Sequence, residues 1–375
     1  MNKKLNIQWF IEQHPDWEKL LSEKPYCLSI SREQWNGINL VMLKYNMVDS
    51  DFNEPIVREC RGLILNEDTN KIVSFPFTKF FNFGETHAAS IDWCTAKVAS
   101  KIDGSLIKIV NVGGSLLIST NGTILASKAP VAEQIGCKYN VFEDIIQEVL
   151  ACKGVVQVDF APGFTYMFEL VSPWTRVVVP WKENDMWYLG CRDNTTFQEH
   201  HFLEDPFHGK FKTPKVFPLK SVDECLAATK DMPWDEEGYV VCDAKFNRVK
   251  IKSPAYLAVH RLKGNGVLSY ARALELVRTN EIDEVVAYFP EFKDALEECK
   301  SRFWKLVEDT ENAWSEYLKV DASLLTRKDK ALWITKNFKM PGIAFGLLDK
   351  KIASAKNFFM NVPTEKLLKT LGYKD

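Results

Sequence analysis

The sequence predicts an α+β protein, in which an N-terminal domain rich in antiparallel sheet is followed by a mostly α-helical C-terminal domain. Between residues 26 and 253, short β-rich stretches such as INLVMLKYN and FTYMFELV are punctuated by Gly, Asn, Asp or Pro, as antiparallel strands are. After residue 253 the apolar residues recur with the period of a helix, and strong helix formers dominate. The breakers in KGNG lie close to this change, so we place the domains at 1–255 and 256–375.

The elements of the N-terminal domain follow from the same patterns. Residues 5–24 have helical period, and a second helix is expected over 131–152. The stretches LNEDTNKIV and NVGGSLLIS each contain a turn that leads into a strand, which is typical of hairpins. Further strands are expected where β-branched and aromatic residues cluster, in AKVAS, SLIKIV, TRVVVPW, MWYLGC, GYVVCD and RVKIK.

The composition is that of a soluble globular protein without a general preference for nucleic acid. The chain has 375 residues, of which 46% are hydrophobic and 26% charged, and its net charge is −2, so any basic surface must be local. No apolar run approaches the roughly 18 residues that span a bilayer. The nine cysteines include no Cys-x-x-Cys pair, and the N-terminus lacks a signal-peptide pattern. We therefore expect free thiols, a cytoplasmic location and no membrane partner.

Six short motifs with charged or aromatic residues lie at strand ends or within strands. In order, they are ECRG with Arg61, KFFNFGE with Lys79 and Phe81, KIDG with Lys101, Asp103 and Gly104, YMFELV with Glu169, DEEGYVV with Glu237, and RVKIKSPAY with Lys250, Lys252 and Tyr256. Each motif alone has an ordinary explanation, such as a solvated turn, an exposed strand face or core packing of phenylalanine. Glu169 is different, because a carboxylate in an apolar strand is rarely buried without a function. The ordered set indicates a site more strongly than any single motif.

The physical requirements of a covalent nucleotidyl transfer fit this set. A lysine amine attacks an α-phosphate only when it is neutral, although its reference pKa is about 10.4. Neighbouring cations and desolvation lower that pKa. The candidate cations are Arg61, Lys79, Lys250 and Lys252. Glu169 and Glu237 are candidates for holding the ribose hydroxyls or Mg²⁺, which prefers oxygen ligands, and Gly104 would let the backbone approach the nucleotide.

The ordered set resembles the phage-type RNA ligase 1 family, which consists of ATP-dependent RNA ligases of the covalent nucleotidyltransferase superfamily. KYN with Tyr45 joins the motifs above, so the resemblance runs from about residue 45 to residue 256. It implies that residues 1–255 form an adenylyltransferase domain in which Lys101 becomes lysyl-AMP and Lys250 and Lys252 are catalytic. The nucleotide-binding residues that it implies are Tyr45, Arg61, Lys79, Phe81, Asp103, Gly104, Glu169, Glu237 and Tyr256. Glu169 and Glu237 would also hold Mg²⁺ or Mn²⁺, and Phe81 would stack on the base.

The resemblance also implies a reaction in three steps. Lys101 attacks ATP and releases pyrophosphate, the AMP moves to a 5′-phosphate RNA end, and a 3′-hydroxyl end then attacks the activated end and expels AMP. The expected partners are RNA with 5′-phosphate and 3′-hydroxyl ends, with tRNA as one candidate, and no obligate protein partner. The implied setting is RNA repair by a phage protein in the cytoplasm of a bacterial host.

Two alternatives remain open. DNA ligases and capping guanylyltransferases share the motifs, but they continue into an OB-type β-barrel, whereas the residues after Lys252 have helical patterns. A catalytically inactive RNA-binding module would have damaged Lys-x-Asp-Gly or Lys-x-Lys motifs, and both are intact. From Asp321 onward Lys and Arg outnumber Asp and Glu, which indicates either an RNA contact or a solvated helix face.

One position departs from the pattern of the family. Its members commonly carry a basic residue before the glycine of the hairpin that follows the nucleophile, and here that residue is Asn121. A phosphate contact is either lost there or supplied by another cation such as Lys128. Residues 198–208 gather three histidines and three acids, and a polar surface loop is favoured over a zinc site because no cysteine accompanies them.

Overall fold

A computed structural model describes residues 3–47, 49–256, 259, 268–279, 282, 286, 290–321 and 326–373. The chain divides into two compact units, Met1–Ala258 and Val259–Asp375. The first is rich in antiparallel sheet, and the described residues of the second form helices, so the α+β fold class predicted from the sequence is confirmed. The assignment of separate functions to residues 1–255 and 256–375 stays a prediction.

The strands of the first unit form three sheets. The strands are β1 (Leu28–Trp35), β2 (Ile38–Tyr45), β3 (Arg61–Asn66), β4 (Lys71–Ser74), β5 (Phe81–Asn82), β6 (Lys97–Ser100), β7 (Ser105–Val112), β8 (Ser115–Thr120), β9 (Phe164–Val171), β10 (Asp185–Asp193), β11 (Glu199–His201), β12 (Val216–Phe217), β13 (Gly238–Cys242) and β14 (Arg248–Lys252). The first sheet has the order β1-β2-β3-β4, the second β11-β10-β9-β7-β8 and the third β12-β6-β13-β14-β5. Neighbouring strands are antiparallel except β14 and β5.

The helices of the first unit are shorter than the sequence predicts. They are α1 (Asn6–Gln13), α2 (Trp17–Ser22), α3 (Pro55–Glu59), α4 (Phe142–Cys152) and α5 (Val222–Lys230). The single helix predicted over 5–24 is wrong, because Pro15 disfavours a helical conformation at His14, which is extended with φ −124° and ψ 105°. The helix predicted over 131–152 begins only at Phe142, since the Asp144 carboxylate accepts the N–H groups of residues 140 and 141 and so caps the helix there.

The strand predicted from TRVVVPW, residues 175–181, is not formed. The N–H groups of Val178 and Val179 donate to the Asp103 carboxylate at 2.8 and 2.7 Å, and not to a neighbouring strand. A backbone whose donors are taken by a side chain cannot use them in a sheet ladder. The segment instead lies against the turn that follows β6.

Separate apolar clusters hold the three sheets. The second sheet packs against α4, and the third packs against α5 through Cys225. The first sheet packs against α1, α2 and α3. Met42 and Ile64 of the first sheet also join a cluster with Leu117 of the second sheet. These two sheets therefore meet face to face, which brings β3 towards the side of the second sheet that carries Leu117.

The second unit is built from amphipathic helices. They are α6 (Tyr270–Thr279), α7 (Lys293–Val320), α8 (Arg327–Asn337), α9 (Pro341–Leu348), α10 (Ala355–Asn361) and α11 (Thr364–Leu371). The long helix α7 buries Leu296, Cys299, Phe303 and Leu306, a spacing that lines one face of a helix. Over the part of the chain that is described, no helix has both the length and the apolar character needed to cross a membrane.

Candidate active site

The third sheet positions Lys101 directly after strand β6. Strand β6 pairs with β13, which in turn pairs with β14 so that Gly238 lies opposite Lys252. The Lys101 N–H continues the ladder by donating to the Gly238 carbonyl at 2.8 Å. Consequently Lys101, Glu237 and Lys252 meet at one end of the sheet, although they are far apart in sequence.

Two ion pairs join these three side chains. Lys101 Nζ lies 2.6 Å from one Glu237 carboxylate oxygen, and Lys252 Nζ lies 3.2 Å from the other. The Glu237 side chain is only 4% exposed, whereas that of Lys101 is 21% exposed. Burial alone lowers the pKa of the Lys101 ammonium, but the carboxylates of Glu237 and Glu169 outweigh it and raise that pKa above its ordinary value. The free protein therefore holds Lys101 as a protonated, paired ammonium.

The buried Asp103 carboxylate fixes the turn after Lys101. One oxygen accepts the N–H groups of Val178 and Val179, and the other accepts the Tyr256 hydroxyl at 2.8 Å. The Trp181 indole N–H donates to the Asp103 carbonyl at 2.8 Å. The predicted site residues Asp103 and Tyr256 thus contact each other and hold the backbone around the nucleophile.

Replacing Asp103 by alanine is expected to destabilise the protein by about 3 kcal/mol, because two buried N–H groups and one hydroxyl lose their acceptor. Asp103→Asn is expected to cost much less, since an amide oxygen can still accept both N–H groups while its NH₂ donates to the Tyr256 oxygen. Urea unfolding of both variants measures the difference, with the exposed Asp235→Ala as the control. Equal losses in the alanine and asparagine variants would contradict this role.

Glu169 reaches the site from the second sheet. It lies on β9 opposite Leu106 of β7 and Trp187 of β10. A Cβ atom on Gly104 would lie 2.3 Å from the Leu170 carbonyl oxygen and 3.1 Å from Glu169 Cγ, so only glycine fits at position 104. Desolvation raises the pKa of Glu169 to about 7, and the nearby Lys101 opposes this effect. An additional cation at this carboxylate would favour its ionised form.

Cations surround the same end of the site. Lys250 lies two residues before Lys252, so the two side chains leave β14 on the same face. Burial, together with charge repulsion from the neighbouring cations, lowers the pKa of Lys250 to about 7; these cations are Lys101, Arg61, Lys79 and Lys252. The Lys250 ammonium lies 4.7 Å and the Arg61 guanidinium 5.3 Å from the centre of the Phe80 ring. Such a concentration of positive charge is suited to a polyphosphate.

An aromatic box holds Lys79. Its ammonium lies 5.2 Å from the ring centres of Tyr45, Phe52 and Phe81. Phe81 is 6% exposed and packs edge to face on Phe52. Phe52 was not predicted from the sequence, because nothing distinguishes it from a core phenylalanine. The box gives Tyr45 and Phe81 a contact with Lys79, while base stacking by Phe81 stays a prediction.

A cavity opens beside Lys101 between the second and third sheets. Its lining includes Arg61, Phe80, Ile102, Leu106 and Val240, together with Lys101 itself. Apolar walls with a few convergent charged groups are typical of ligand sites, but the cavity volume of about 90 Å³ is well below the roughly 300 Å³ of a small-molecule site.

A buried ion triad that the sequence did not reveal lies next to this cavity. Glu199 of β11 forms ion pairs with Arg192 of β10 and, at 2.6 Å, with Arg248 at the start of β14. The triad links the second sheet to the third, because Arg192 and Glu199 belong to the second sheet and Arg248 belongs to β14, the strand of the third sheet that carries Lys250 and Lys252. Removing one partner of such a buried pair is strongly destabilising.

Two other predicted positions lie apart from this cluster. The Lys128 ammonium lies 2.6 Å from a Glu33 carboxylate oxygen. A role for Lys128 as the cation that replaces a basic residue at Asn121 stays a prediction. His200 of the 198–208 loop pairs with Glu204 at 3.0 Å. Within the described ranges, no group of three or more His, Cys, Asp or Glu side chains could hold a metal ion. The interpretation of 198–208 as a surface loop is wrong for its first part, because Glu199–His201 form β11 and Glu199 is buried.

Comparisons of the sequence with a family model and with known proteins identify one class of protein. A family model described as RNA ligase matches residues 59–256. A putative bifunctional polynucleotide kinase/RNA ligase of Autographa californica nuclear polyhedrosis virus is 32% identical over 281 residues, covering 69% of this chain and 38% of that protein. RNA ligase 1 of Bacteriophage TS2126 is 26% identical over 287 residues, which cover 71% of this chain and 66% of that protein. An archaeal ATP-dependent RNA ligase structure aligns with a TM-score of 0.45 and 12% identity over 88% of this chain and 82% of its own.

Proposed function

Because the chain belongs to the phage-type RNA ligase 1 family, whose model covers residues 59–256, we propose that it is an ATP-dependent RNA ligase. It joins a 5′-phosphate end to a 3′-hydroxyl end of RNA through lysyl-AMP and RNA-adenylate intermediates. The chain spans only 38% of the length of the viral relative and 66% of that of the phage relative, so the activity of those whole proteins is not transferred by similarity alone.

The observation that carries the proposal is the lysine Lys101 held between a carboxylate and a cluster of cations. In the first step the neutral Lys101 amine forms a P–N bond to the α-phosphorus of ATP, and the P–O bond to the β-phosphate breaks to release pyrophosphate. Lys101 must first lose to solvent the proton that its ion pair with Glu237, at 2.6 Å, stabilises in the free protein. Lys250, Lys252 and Arg61 then offset the negative charge of the leaving pyrophosphate.

The carboxylates fit a divalent cation. Glu237 and Glu169 supply the hard oxygen atoms that Mg²⁺ or Mn²⁺ prefers, and a bound cation would oppose the burial that raises the pKa of Glu169 to about 7. When bound, the cation would neutralise phosphate charge and weaken the hold of Glu237 on the Lys101 proton.

The two later steps use the same cations on different phosphates. The 5′-phosphate oxygen of RNA attacks the phosphorus of lysyl-AMP and frees the lysine, and the 3′-hydroxyl oxygen then attacks the RNA phosphorus and releases AMP. We assign RNA contact, with tRNA as the first candidate, to the helical unit, whose C-terminal part is rich in Lys and Arg. RNA repair in the cytoplasm of a bacterial host is the setting that the proposal implies.

The proposal is tested by incubating the protein and Mg²⁺ with α-³²P-labelled ATP, GTP or NAD in parallel, without RNA, and resolving the protein on a denaturing gel. Label from ATP alone is expected, and adding 5′-phosphorylated RNA is expected to discharge it and yield joined RNA. Label from GTP alone would indicate a capping-type transferase, and joining of nicked DNA but not RNA would indicate a DNA ligase. A folded protein that takes no label would support an inactive RNA-binding module.

A further inference from the structure

Lys108 is a fully buried lysine that the proposed mechanism does not use. It lies in the middle of β7, its exposed fraction is 0%, and its ammonium donates to the Gly62 carbonyl at 2.5 Å. Among the residues that the structure describes, no carboxylate forms an ion pair with it. A buried ammonium without a counter-charge is costly, so it calls for an explanation.

The charged groups that face Lys108 are also cations. Arg61 of β3 and Lys44 of β2 both act on it by charge repulsion. Its cross-strand neighbours on the second sheet are neutral: Ser119 on β8 and Met167 on β9. Three cations therefore gather where the first and second sheets meet, and the charge of Glu169 acts on one of them, Arg61.

Residues around Lys108 carry buried polar atoms without partners. Arg61 Nη1, Ser119 Oγ and Asn121 Oδ1 are buried, and no hydrogen-bond partner is found for them among the described residues. Such atoms are rare in folded proteins and indicate that a ligand or water completes the site. The charge of the cluster favours an anion.

A backbone bulge connects Lys108 to Arg61. The pairing of β2 with β3 shifts register between Leu43 and Lys44, and Gly62 has φ +77° at that point. A Cβ atom on Gly62 would lie 2.8 Å from the Asn121 carbonyl oxygen and 3.1 Å from Lys108 Nζ, so the corner requires glycine. The hydrogen bond from Lys108 thus holds the corner that directs the Arg61 side chain.

We propose that Lys108 is a positioning residue for a nucleotide phosphate bound by Arg61, and that it takes up a proton when that phosphate binds. This inference rests on the proposed function, because the phosphate belongs to the nucleotide. Lys108 reaches the turn at Asn121 from the adjacent strand, so it supplies positive charge where the family commonly carries a basic residue. An anion beside Arg61 offsets the repulsion among the three cations and makes the charged form of Lys108 more favourable.

The protonation of Lys108 is consistent with this role. Burial and repulsion by Arg61 and Lys44 together lower its pKa to about 7. Near neutral pH the free protein therefore contains both forms. A bound anion raises the pKa, so binding takes up a proton above pH 7, and well below pH 7 the uptake vanishes because Lys108 is already charged.

Calorimetry tests the proposal by counting protons. The wild type and Lys108→Met are titrated with α,β-methylene-ATP and Mg²⁺ at pH 7.5 in Hepes and in Tris. Because the ionisation enthalpies of the two buffers differ, the difference in the observed binding enthalpy gives the number of protons taken up. Lys250 also has a pKa of about 7 and takes up its own proton, so the difference between the two proteins isolates Lys108. We expect Lys108→Met to take up about half a proton less.

The kinetics of lysyl-AMP formation provide a second measurement. The KM of Lys108→Met for ATP is expected to rise about tenfold with a smaller change in kcat.

A second variant keeps the test decisive if Lys108→Met does not fold. Lys108→Arg retains the charge but does not titrate near neutral pH, so it is expected to lose the same proton uptake while keeping affinity. Lys138→Met, which removes an exposed lysine paired with Glu148, serves as the matched control and is expected to behave as wild type. Unchanged proton uptake in the folded Lys108 variants would overturn this inference alone, if the wild type binds the analogue and forms lysyl-AMP. Failure of the wild type to do either would overturn the proposed function and this inference with it.

Discussion

Lys101→Ala is expected to lower the rate of lysyl-AMP formation by at least about four orders of magnitude, because it removes the atom that forms the bond to phosphorus. The measurement is the single-turnover transfer of label from α-³²P-ATP to the protein. In the wild type this rate is expected to rise with pH, since the carboxylates of Glu237 and Glu169 raise the pKa of Lys101 and the neutral amine is the reactive form.

Lys101→Arg separates the nucleophile from its charge. A guanidinium can pair with Glu237 as the Lys101 ammonium does at 2.6 Å, but it is not deprotonated in proteins and cannot attack. We expect it to be as inactive as the alanine variant while remaining as stable as the wild type. Both variants should still join RNA that carries a chemically synthesised 5′-adenylate, because that step does not use the lysine. Label on either variant at the wild-type rate would show that another residue is the nucleophile.

The sequence could predict that Lys101, Glu237 and Lys252 lie close together, because their motifs stand at the ends of strands that pair with one another. Lys101 ends one strand, Glu237 precedes the next and Lys252 ends the third, so antiparallel pairing brings them together. Glu169 was distinguishable because a carboxylate in an apolar strand needs a reason to be there. The fold class followed from the change of periodicity near residue 253.

The supporting members could not be predicted, because their roles depend on contacts between distant segments. Lys108 has the sequence context of an ordinary strand residue, and only the packing of the first sheet on the second makes it a buried cation. The donors to Asp103 come from Val178 and Val179, in a segment whose composition predicted a strand. The hydrophobic pattern shows which residues are apolar. It does not show that a distant side chain, here Asp103, accepts hydrogen bonds from the backbone N–H groups of the segment.

Lys250→Met is expected to lower kcat/KM for lysyl-AMP formation by about two to three orders of magnitude, because a cation that offsets the charge of the transferring phosphate is lost. Methionine keeps the length of the side chain and its apolar contact with Phe80, so the variant removes charge rather than packing. The matched control is Lys245→Met, which removes an exposed lysine from the turn of the same β13–β14 hairpin and is expected to behave as wild type.

The pH dependence of this variant distinguishes a charge effect from a structural one. Burial lowers the pKa of Lys250 to about 7, so in the free wild type its positive charge is present below pH 7 and is lost as the pH rises. The KM of the wild type for ATP is therefore expected to increase above pH 7, whereas that of Lys250→Met should be high at every pH and vary less. A variant that loses activity but keeps the full pH dependence of KM would assign that titration to another group. In that case Lys108, whose pKa is also about 7, would be the residue to test next.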